Sequence, residues 1–496
     1  METMITANIE ENINAFNSLF QDCADVKKRE IYLGKNMDVK CFIAYIEVTA
    51  SDVELTQSIL GKNIARFADM NRKEIINYIE KKGPGISEVV EIDTIEKAAT
   101  GMLTGDIVFF IDGYNKACKL AGKGYPNMGV QKPRSEQVIR GSNEGFSDSV
   151  KANTALIRKR IRSPQLKVKE VKVGVRSSTT TALVYIGDVV DKSLLKRVEK
   201  ELQEIEIDGV LDSGVLEQLM EMSWKSPFPQ FQTTERPDKA AMAILDGRIV
   251  LLSDNSPVGL ILPTNYNCFF QTSDDYYNRW EIASLERIIR YMASFFAMFL
   301  PALYLAIAIY HTQVLPTELI LSFAAARQGV PFPAVVEVLL MEWSFELLRE
   351  AGIRIPGNMG NAIGIVGGLI IGQSAVEANL VSPIVVIVVA LTALSSFAIP
   401  NEELVSAYRL VKFSLILLAA FLGFYGVILG GVLILLHLAG LKSFGIPYLM
   451  PFVGAELNDY HDQRDTIIRQ PMFRLFRRPF FARKNQKIRL KRKGES

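Results

Sequence analysis

The chain has 496 residues, enough for two or three structural cores. Its 56 lysine and arginine residues nearly balance 54 acidic residues, and a net charge of +2 excludes the global basic field of a dedicated nucleic-acid-binding protein. Nucleic acid is therefore not an expected partner. Hydrophobic residues make up 49% of the chain and mean hydropathy is +0.17, although 22% of residues are charged, so apolar residues must be concentrated in one region.

The first half of the chain alternates short apolar runs with helical patterns, which indicates α/β subdomains. Strands are predicted at 41–48, 107–111, 168–175 and 182–186, and helices at 73–81, 150–160 and 192–204. A stretch rich in glycine and proline, 122–133, separates the two groups. We therefore predict a first α/β subdomain over 1–125 and a second over 126–275.

Signals for secretion and for structural cross-links are absent from this half. The first twenty residues contain acids and no apolar run, so a signal peptide is not predicted and this half is expected to be cytosolic. The four cysteines, Cys23, Cys41, Cys118 and Cys268, form no Cys-x-x-Cys pair, and no histidines cluster beside them. They are expected to be reduced thiols rather than disulfides or zinc ligands.

Four later stretches of 20 residues or more lack Asp, Glu, Lys and Arg, which is the length that a helix needs to cross a bilayer. They are 291–310, 355–376, 380–400 and 413–441. We predict an α-helical polytopic transmembrane domain over 276–452 with four spans, followed by a basic cytosolic tail over 453–496. Buried helices of a large soluble core are the alternative, but four such runs close together favour the membrane.

Basic residues flank both ends of this region, at 279–290 and 474–493, so the N- and C-termini are both expected to face the cytosol. An even number of spans satisfies that orientation. The segment 333–350 is helix-like but carries Glu337, Glu342, Glu346 and Glu350. It is interpreted as a re-entrant or interfacial helix, since a fifth crossing would place the basic tail outside.

Enzyme signatures are absent: the sequence holds no P-loop, no dinucleotide fingerprint and no nucleophile elbow. We predict no enzyme, no catalytic or cofactor-binding residues and no cofactor. Asp459, His461, Asp462 and Asp465 could ligate a cation, but an exposed polar turn is the favoured interpretation, so no metal site is predicted. The basic run 158–162 could contact phosphates or anionic lipid; ion pairs or a subunit contact are favoured.

Several motifs then resemble, in order, those of the GerA family, the A subunits of bacterial spore germinant receptors. In the first half they are Ile139-Arg140-Gly141-Ser142-Asn143-Glu144-Gly145-Phe146, Ile207-Asp208-Gly209-Val210-Leu211-Asp212-Ser213-Gly214, and Pro227-Phe228-Pro229-Gln230 through Thr234-Glu235-Arg236-Pro237-Asp238-Lys239. In the second half they include Arg327-Gln328-Gly329-Val330-Pro331-Phe332-Pro333 and Gly445-Ile446-Pro447-Tyr448-Leu449-Met450-Pro451-Phe452. The resemblance covers residues 100–480.

The resemblance implies a sporulation-specific, multi-pass protein of the spore inner membrane with a two-part cytosolic N-terminal domain. It implies a homo-oligomeric ring, a pentamer, that releases ions when a nutrient is sensed. Its partners would be a transporter-like B subunit that binds the germinant and a C lipoprotein. The A-like protein of the dipicolinate-channel operon is the alternative within the family.

Two features of the predicted spans bear on a channel. Gly360, Gly364, Gly368 and Gly372 repeat at four-residue spacing and would form a groove for close helix packing, within one subunit or between subunits around a pore. Pro301 interrupts the first span, and the resulting kink would serve either packing or gating.

The glutamates of 333–350 fall on two helix faces. Glu342, Glu346 and Glu350 share one face, which either meets solvent or forms an acidic, cation-selecting vestibule in a ring. Glu337 lies on the apolar face in the first helical turn, where the helix N-terminus stabilises an acid and Arg327 or Arg354 could pair with it. Glu337 is interpreted as a structural residue, and a role in gating is the alternative.

The motif Glu235, Arg236, Pro237 and Asp238 precedes the membrane region. It is interpreted as a charge-paired turn fixed by Pro237, with coupling of the cytosolic domain to the spans as the alternative. Together these observations predict a ligand-gated, ion-conducting A subunit that triggers germination. The competing interpretation is a non-conducting scaffold or signal-transducing subunit, and paired interrupted helices typical of a transporter are absent.

Overall fold

The computed structural model describes residues 3–47, 67, 69–80, 89–120, 132–133, 136, 138, 140–354, 368 and 372–490. The chain forms two compact units. The α/β unit comprises Met1–Met222, Phe231–Thr264 and Met472–Ser496, and the helical unit comprises Ser223–Gln230 and Asn265–Pro471. These limits differ from the expected domain limits chiefly at the C-terminus, where residues 472–496 belong to the α/β unit.

The first half of the α/β unit, termed repeat 1, is a five-stranded sheet with the order β1-β2-β4-β5-β3, and every neighbouring pair is antiparallel. Its elements in the described residues are α1 (Ile9–Leu19), β1 (Val26–Leu33), β2 (Val39–Ile46), α2 (Arg72–Glu80), β3 (Val89–Ile92), α3 (Ile95–Leu103), β4 (Ile107–Ile111) and β5 (Ala117–Leu120).

The second half, termed repeat 2, has the same sheet topology, with the order β6-β7-β9-β10-β8. Its elements are α4 (Val150–Arg160), β6 (Leu166–Val173), β7 (Thr179–Ile186), α5 (Lys192–Gln203), α6 (Ser213–Met220), β8 (Gln232–Thr234), α7 (Pro237–Leu245), β9 (Ile249–Ser253) and β10 (Gly259–Leu262). Since all strand pairs are antiparallel here too, both α/β subdomains are helix-covered antiparallel sheets.

Local contacts show that the two halves repeat the same design. The Asn12 side chain accepts a hydrogen bond from the Thr6 N–H at 3.0 Å and donates to the Thr6 carbonyl at 2.7 Å. Asn153 makes the same pair of bonds to Ser147, at 2.8 and 2.6 Å. The first hairpin turn of each sheet begins with a left-handed glycine, Gly34 at φ +94° or Gly174 at φ +90°. The α/β unit is therefore a tandem structural repeat.

Both faces of the first sheet are buried, which explains the continuous apolar run of β2. Phe42, Ala44 and Ile46 pack into one core with α1 and α3. The alternate residues of the strand, such as Cys41 and Ile43, pack into a second core on the opposite face. This period of two within an unbroken apolar segment is typical of a strand covered on both sides.

A buried ion pair joins the two repeats. Arg158, 0% exposed, donates from Nε and Nη2 to the two carboxylate oxygens of Asp25 at 2.8 and 2.9 Å. Burial disfavours the charged guanidinium, but the Asp25 carboxylate raises the pKa of Arg158 above its ordinary value. The neighbouring cations Lys159 and Arg160 both bind Glu144 at 2.7 Å, so the basic run of α4 makes ion pairs.

The C-terminal segment 472–490, termed the C-terminal strap, folds onto repeat 2. Ala482 is buried in the core of that repeat, and Arg483 N–H donates to the Val189 carbonyl at 2.8 Å. Gly247 has φ +94°, and a Cβ there would lie 2.7 Å from the Ala482 backbone. Arg489 pairs with Asp246 at 2.9 Å. Part of the basic tail is thus a packed element.

Within its described residues, the helical unit contains two helices that are long and apolar enough to cross a membrane, Trp280–Tyr310 and Glu402–Leu422. Its described helices are α8 (Asp274–Tyr277), α9 (Trp280–Leu305, continued by a π-helical turn Ala306–Tyr310), α10 (Thr317–Ala326), α11 (Ala334–Arg354), α12 (Pro383–Phe397), α13 (Glu402–Leu422) and α14 (Phe424–Gly440). A short hairpin follows, β11 (Lys442–Ser443) with β12 (Ile446–Pro447).

Only part of the expected span pattern is found. The predicted first span lies in α9 and its π-helical continuation, whereas most of the predicted second span, 355–367 and 369–371, lies outside the described residues. The predicted third span holds α12, whose 15 residues measure about 22 Å, less than a hydrocarbon core of about 30 Å. The single helix predicted over 413–441 is wrong: the chain breaks at Gly423, with φ +60°, between α13 and α14.

Helices α13 and α14 pack as an antiparallel hairpin. Gly426 faces the Leu418 backbone, and a Cβ at Gly430 would lie 2.4 Å from a Leu415 methyl group. The glycines of α14 therefore let the two helices approach closely. Their apolar composition alone could not distinguish this hairpin from one long span.

We predict that Asn153→Ala lowers the free energy of unfolding of the α/β unit by about 1–3 kcal/mol, because a buried backbone amide and carbonyl lose their partner. Asn12→Ala should have a similar effect in repeat 1. Thermal unfolding of the purified chain would measure both. The control is Asn14→Ala, because Asn14 is exposed on the same helix as Asn12. Equal melting temperatures for the three variants would contradict the prediction.

Candidate functional site in the helical unit

Four charged side chains of α11 and α13 meet within the apolar helical unit and are termed the charge cluster. Lys412 donates to Glu342 at 2.6 Å and lies 3.5 Å from Glu346. Arg409 donates to Glu346 at 3.2 Å. Glu342 is 1% exposed and Lys412 is 4% exposed. Charges this far from solvent persist only when paired, and inside membrane segments they mark functional positions.

Helix periodicity brings these side chains together. Glu342 and Glu346 are one turn apart on α11, and Arg409 and Lys412 are about one turn apart on α13. Asn401 caps the start of α13, since its side chain accepts the Leu404 N–H at 2.8 Å, and this cap fixes where the helix begins. Two acidic positions on one helix thereby face two basic positions on the other.

This arrangement differs from the water-facing acidic stripe expected from the sequence. Glu342 is buried and Glu346 is partly buried, and both are paired with cations, whereas Glu350 is exposed. The charge pattern of α11 alone does not show that basic residues of α13 face it. Arg409 and Lys412 lie just outside the predicted span 413–441 and were not predicted.

Glu337 is fully buried in the first turn of α11, as the apolar helix face predicted. Its Oε2 accepts the N–H of Ser382 at 2.8 Å, and its Oε1 lies 3.3 Å from Arg327 Nη2. Ser382 is the residue that caps α12. The carboxylate therefore ties three segments together: the loop after α10, the start of α11 and the start of α12.

The remaining predicted positions do not join the charge cluster. Pro301 is buried within α9, which continues past it as helix to Leu305. Gly360 and Gly364 lie outside the described residues. No described atom lies within 4 Å of a Cβ built at Gly368, and a Cβ at Gly372 would lie 3.2 Å from Val386 of α12.

The Glu235 to Asp238 motif lies in repeat 2 and starts α7. Arg236, 2% exposed, donates to Asp238 at 2.8 Å and to the Ser142 carbonyl at 3.0 Å, while Pro237 occupies the first position of the helix. Arg236 is thus paired with Asp238 within the motif. Glu235 uses its backbone N–H to bind Glu136 at 2.9 Å.

A second buried cluster, at the start of α9, was not predicted. Arg287, 0% exposed, donates to Asp275 and to Asp465, both at 2.7 Å, and Arg290 donates to Asp275 at 2.8 Å. Asp465, expected in an exposed polar turn, is instead partly buried and paired with Arg287. The spacing of Arg287 and Arg290, which places both on one helix face ahead of an apolar run, was the available signal. In the described residues no group of acids, histidines and cysteines is arranged to hold a metal ion.

Residues 14–481 match the family described as the Bacillus/Clostridium GerA spore germination protein. The chain belongs to this family. It is 37% identical to the spore germination protein KA of Bacillus subtilis (strain 168), over 98% of this chain and 89% of that protein. It is 41% identical to spore germination protein A1 of the same organism, over 77% and 78%.

The membrane protein YfkQ of Bacillus subtilis (strain 168), which is named as uncharacterized, is 38% identical over 96% of this chain and 91% of that protein. Among solved structures, the N-terminal domain of the A subunit of the Bacillus megaterium germinant receptor GerK3 aligns with a TM-score of 0.42 and 26% identity. That alignment covers 54% of this chain and 98% of the domain. The GerA-family match agrees with the resemblance carried by the sequence motifs.

We predict that Lys412→Met destabilises the helical unit by about 3–5 kcal/mol, because it leaves the buried Glu342 carboxylate without its partner. Glu342→Gln combined with Lys412→Met should restore most of the loss. Thermal unfolding and gel filtration of the purified chain would measure this, with Lys442→Met, an exposed lysine of the same unit, as control. A double variant no more stable than Lys412→Met would contradict the predicted coupling.

Proposed function

We propose that this chain is the A subunit of a nutrient germinant receptor in the spore inner membrane, where it forms a homo-oligomer that conducts ions on nutrient sensing. Family membership and apolar helices of spanning length support the proposal. The transporter-like B subunit and the C lipoprotein would complete the receptor. The chain would cross the membrane more than once with both termini in the cytosol, and it would carry no catalytic function.

The charge cluster is the observation that carries the conducting role. Glu342 and Lys412 form an ion pair between two helices that are mainly apolar. Breaking such a pair is costly, so two arrangements of α11 and α13, one paired and one hydrated, would be distinct states. A cluster holding both signs of charge is suited to gating rather than to selecting cations. Selectivity would then come from other residues, and exposed Glu350 is the candidate on α11.

Ion flux in liposomes tests the proposal. The chain would be reconstituted with B and C subunits, and potassium release would be followed with and without germinant. We expect germinant-triggered release by the wild type and loss of germinant control in Glu342→Gln with Lys412→Met, which removes both charges without leaving one unpaired. Lys442→Gln is the matched control.

Each outcome separates the interpretations. Lack of flux from a wild-type complex shown to be assembled would favour a non-conducting scaffold. Flux that remains fully germinant-dependent in the double variant would place the gate outside the charge cluster. Flux that depends on dipicolinate release rather than on a nutrient would favour the alternative that the chain is the A-like protein of the dipicolinate-channel operon.

A further inference from the structure

A partly open recess lies between α11, α12 and α13, next to the charge cluster. Its polar lining comes from Arg349, Arg409 and Lys412, with Glu346 as the one acidic residue and Thr392 and Ser396 from α12. Lys412 is neutralised by Glu342 behind the recess. The lining therefore offers more positive than negative charge, in a place surrounded by apolar helices.

Two guanidinium groups of this recess keep unused hydrogen-bonding capacity. Arg349 makes no hydrogen bond or ion pair with another part of the chain that the structure describes. Arg409 uses its Nη atoms for Glu346 and Ser406, but its buried Nε has no partner. The Arg349 guanidinium is repelled by Arg409 and attracted by the carboxylates of Glu346 and Glu402. An anion placed between them would relieve that repulsion and accept from both.

The surroundings favour an anion that carries acyl chains. Leu394, Phe397 and Leu410 are each 65–67% exposed and adjoin recess residues in α12 and α13. The ring of Phe397 lies 6.2 Å from that of Phe345, which lines the recess. Arg409 lies roughly 10 Å along the axis of α13 from the first residue of that helix. This is the depth at which a lipid headgroup would meet the end of a membrane helix. Basic recesses between membrane helices bind anionic headgroups in this way.

We infer that Arg349 and Arg409 form a binding site for a phosphate group, and that this phosphate belongs to the headgroup of an anionic phospholipid. The planar guanidinium groups match phosphate oxygens geometrically. The phosphodiester would lie in the recess between the two arginines. Its acyl chains would follow the exposed apolar side chains of α12 and α13.

Native mass spectrometry of the full chain in an uncharged detergent tests this site. Phosphatidylglycerol, phosphatidylcholine and inorganic phosphate would be titrated separately. We expect the wild type to bind phosphatidylglycerol, and Arg349→Gln to weaken that binding about tenfold, as the loss of one charge-assisted contact implies. Lys442→Gln should bind as the wild type does. Because Arg349 has no ion pair to lose, its variant should keep the wild-type melting temperature.

The three titrations distinguish a lipid headgroup from free phosphate as the source of the bound phosphate group. Binding of phosphatidylglycerol that inorganic phosphate displaces, with Arg349→Gln affecting both, would still support the phosphate site. Binding of inorganic phosphate alone would overturn the lipid assignment. Equal retention of phosphatidylglycerol by wild type and Arg349→Gln, or equal binding of phosphatidylcholine, would overturn the site itself. These assays use neither germinant nor partner subunits, so their result is independent of ion conduction.

Discussion

The ion pair between Glu342 and Lys412 is the constraint on which the packing of the helical unit depends. Both side chains are almost completely buried among apolar helices, so each charge must face the other. That requirement fixes the rotation of α11 and α13 about their axes. It also fixes which faces remain free, with Trp343 and Leu410 left exposed on the apolar exterior. A hydrophobic pair at these positions would pack without imposing such a specific orientation.

The other buried charges follow the same rule at the ends of helices. Glu337 holds the starts of α11 and α12 together through Ser382 and Arg327. Arg287 is held between Asp275 and Asp465, so the first turns of α9 are joined to the segment after β12. Elsewhere close contacts are apolar or involve glycine, as in the α13–α14 hairpin. Polar contacts therefore set the positions of the helix ends and, at the charge cluster, the rotation of α11 and α13.

The sequence was sufficient to predict a helix or a strand where a local pattern of residues carried the information. The strand at 107–111 and the helix at 150–160 have the predicted limits, because a short apolar run ended by Asp112-Gly113 and a helical pattern are local signals. It was insufficient where the decisive contact joins distant residues. Nothing near Glu342 reveals that Lys412 will face it. The break at Gly423 was missed because an apolar run has the same composition whether it forms one long helix or two short ones.

The tandem repeat escaped prediction for a related reason, and the two repeats differ at the contact that joins them. The loop before β1 pairs with the outer edge of β6, through Ala24 N–H to the Val168 carbonyl at 2.9 Å. The corresponding loop before β6 has Pro164 in place of Ala24 and lacks that donor. The corresponding edge position in β1 is Lys28 rather than the buried Val168, and its ammonium binds the Phe20 carbonyl. Proline lacks an N–H and an edge lysine opposes strand pairing, so the contact that joins the two repeats is not repeated at the equivalent positions.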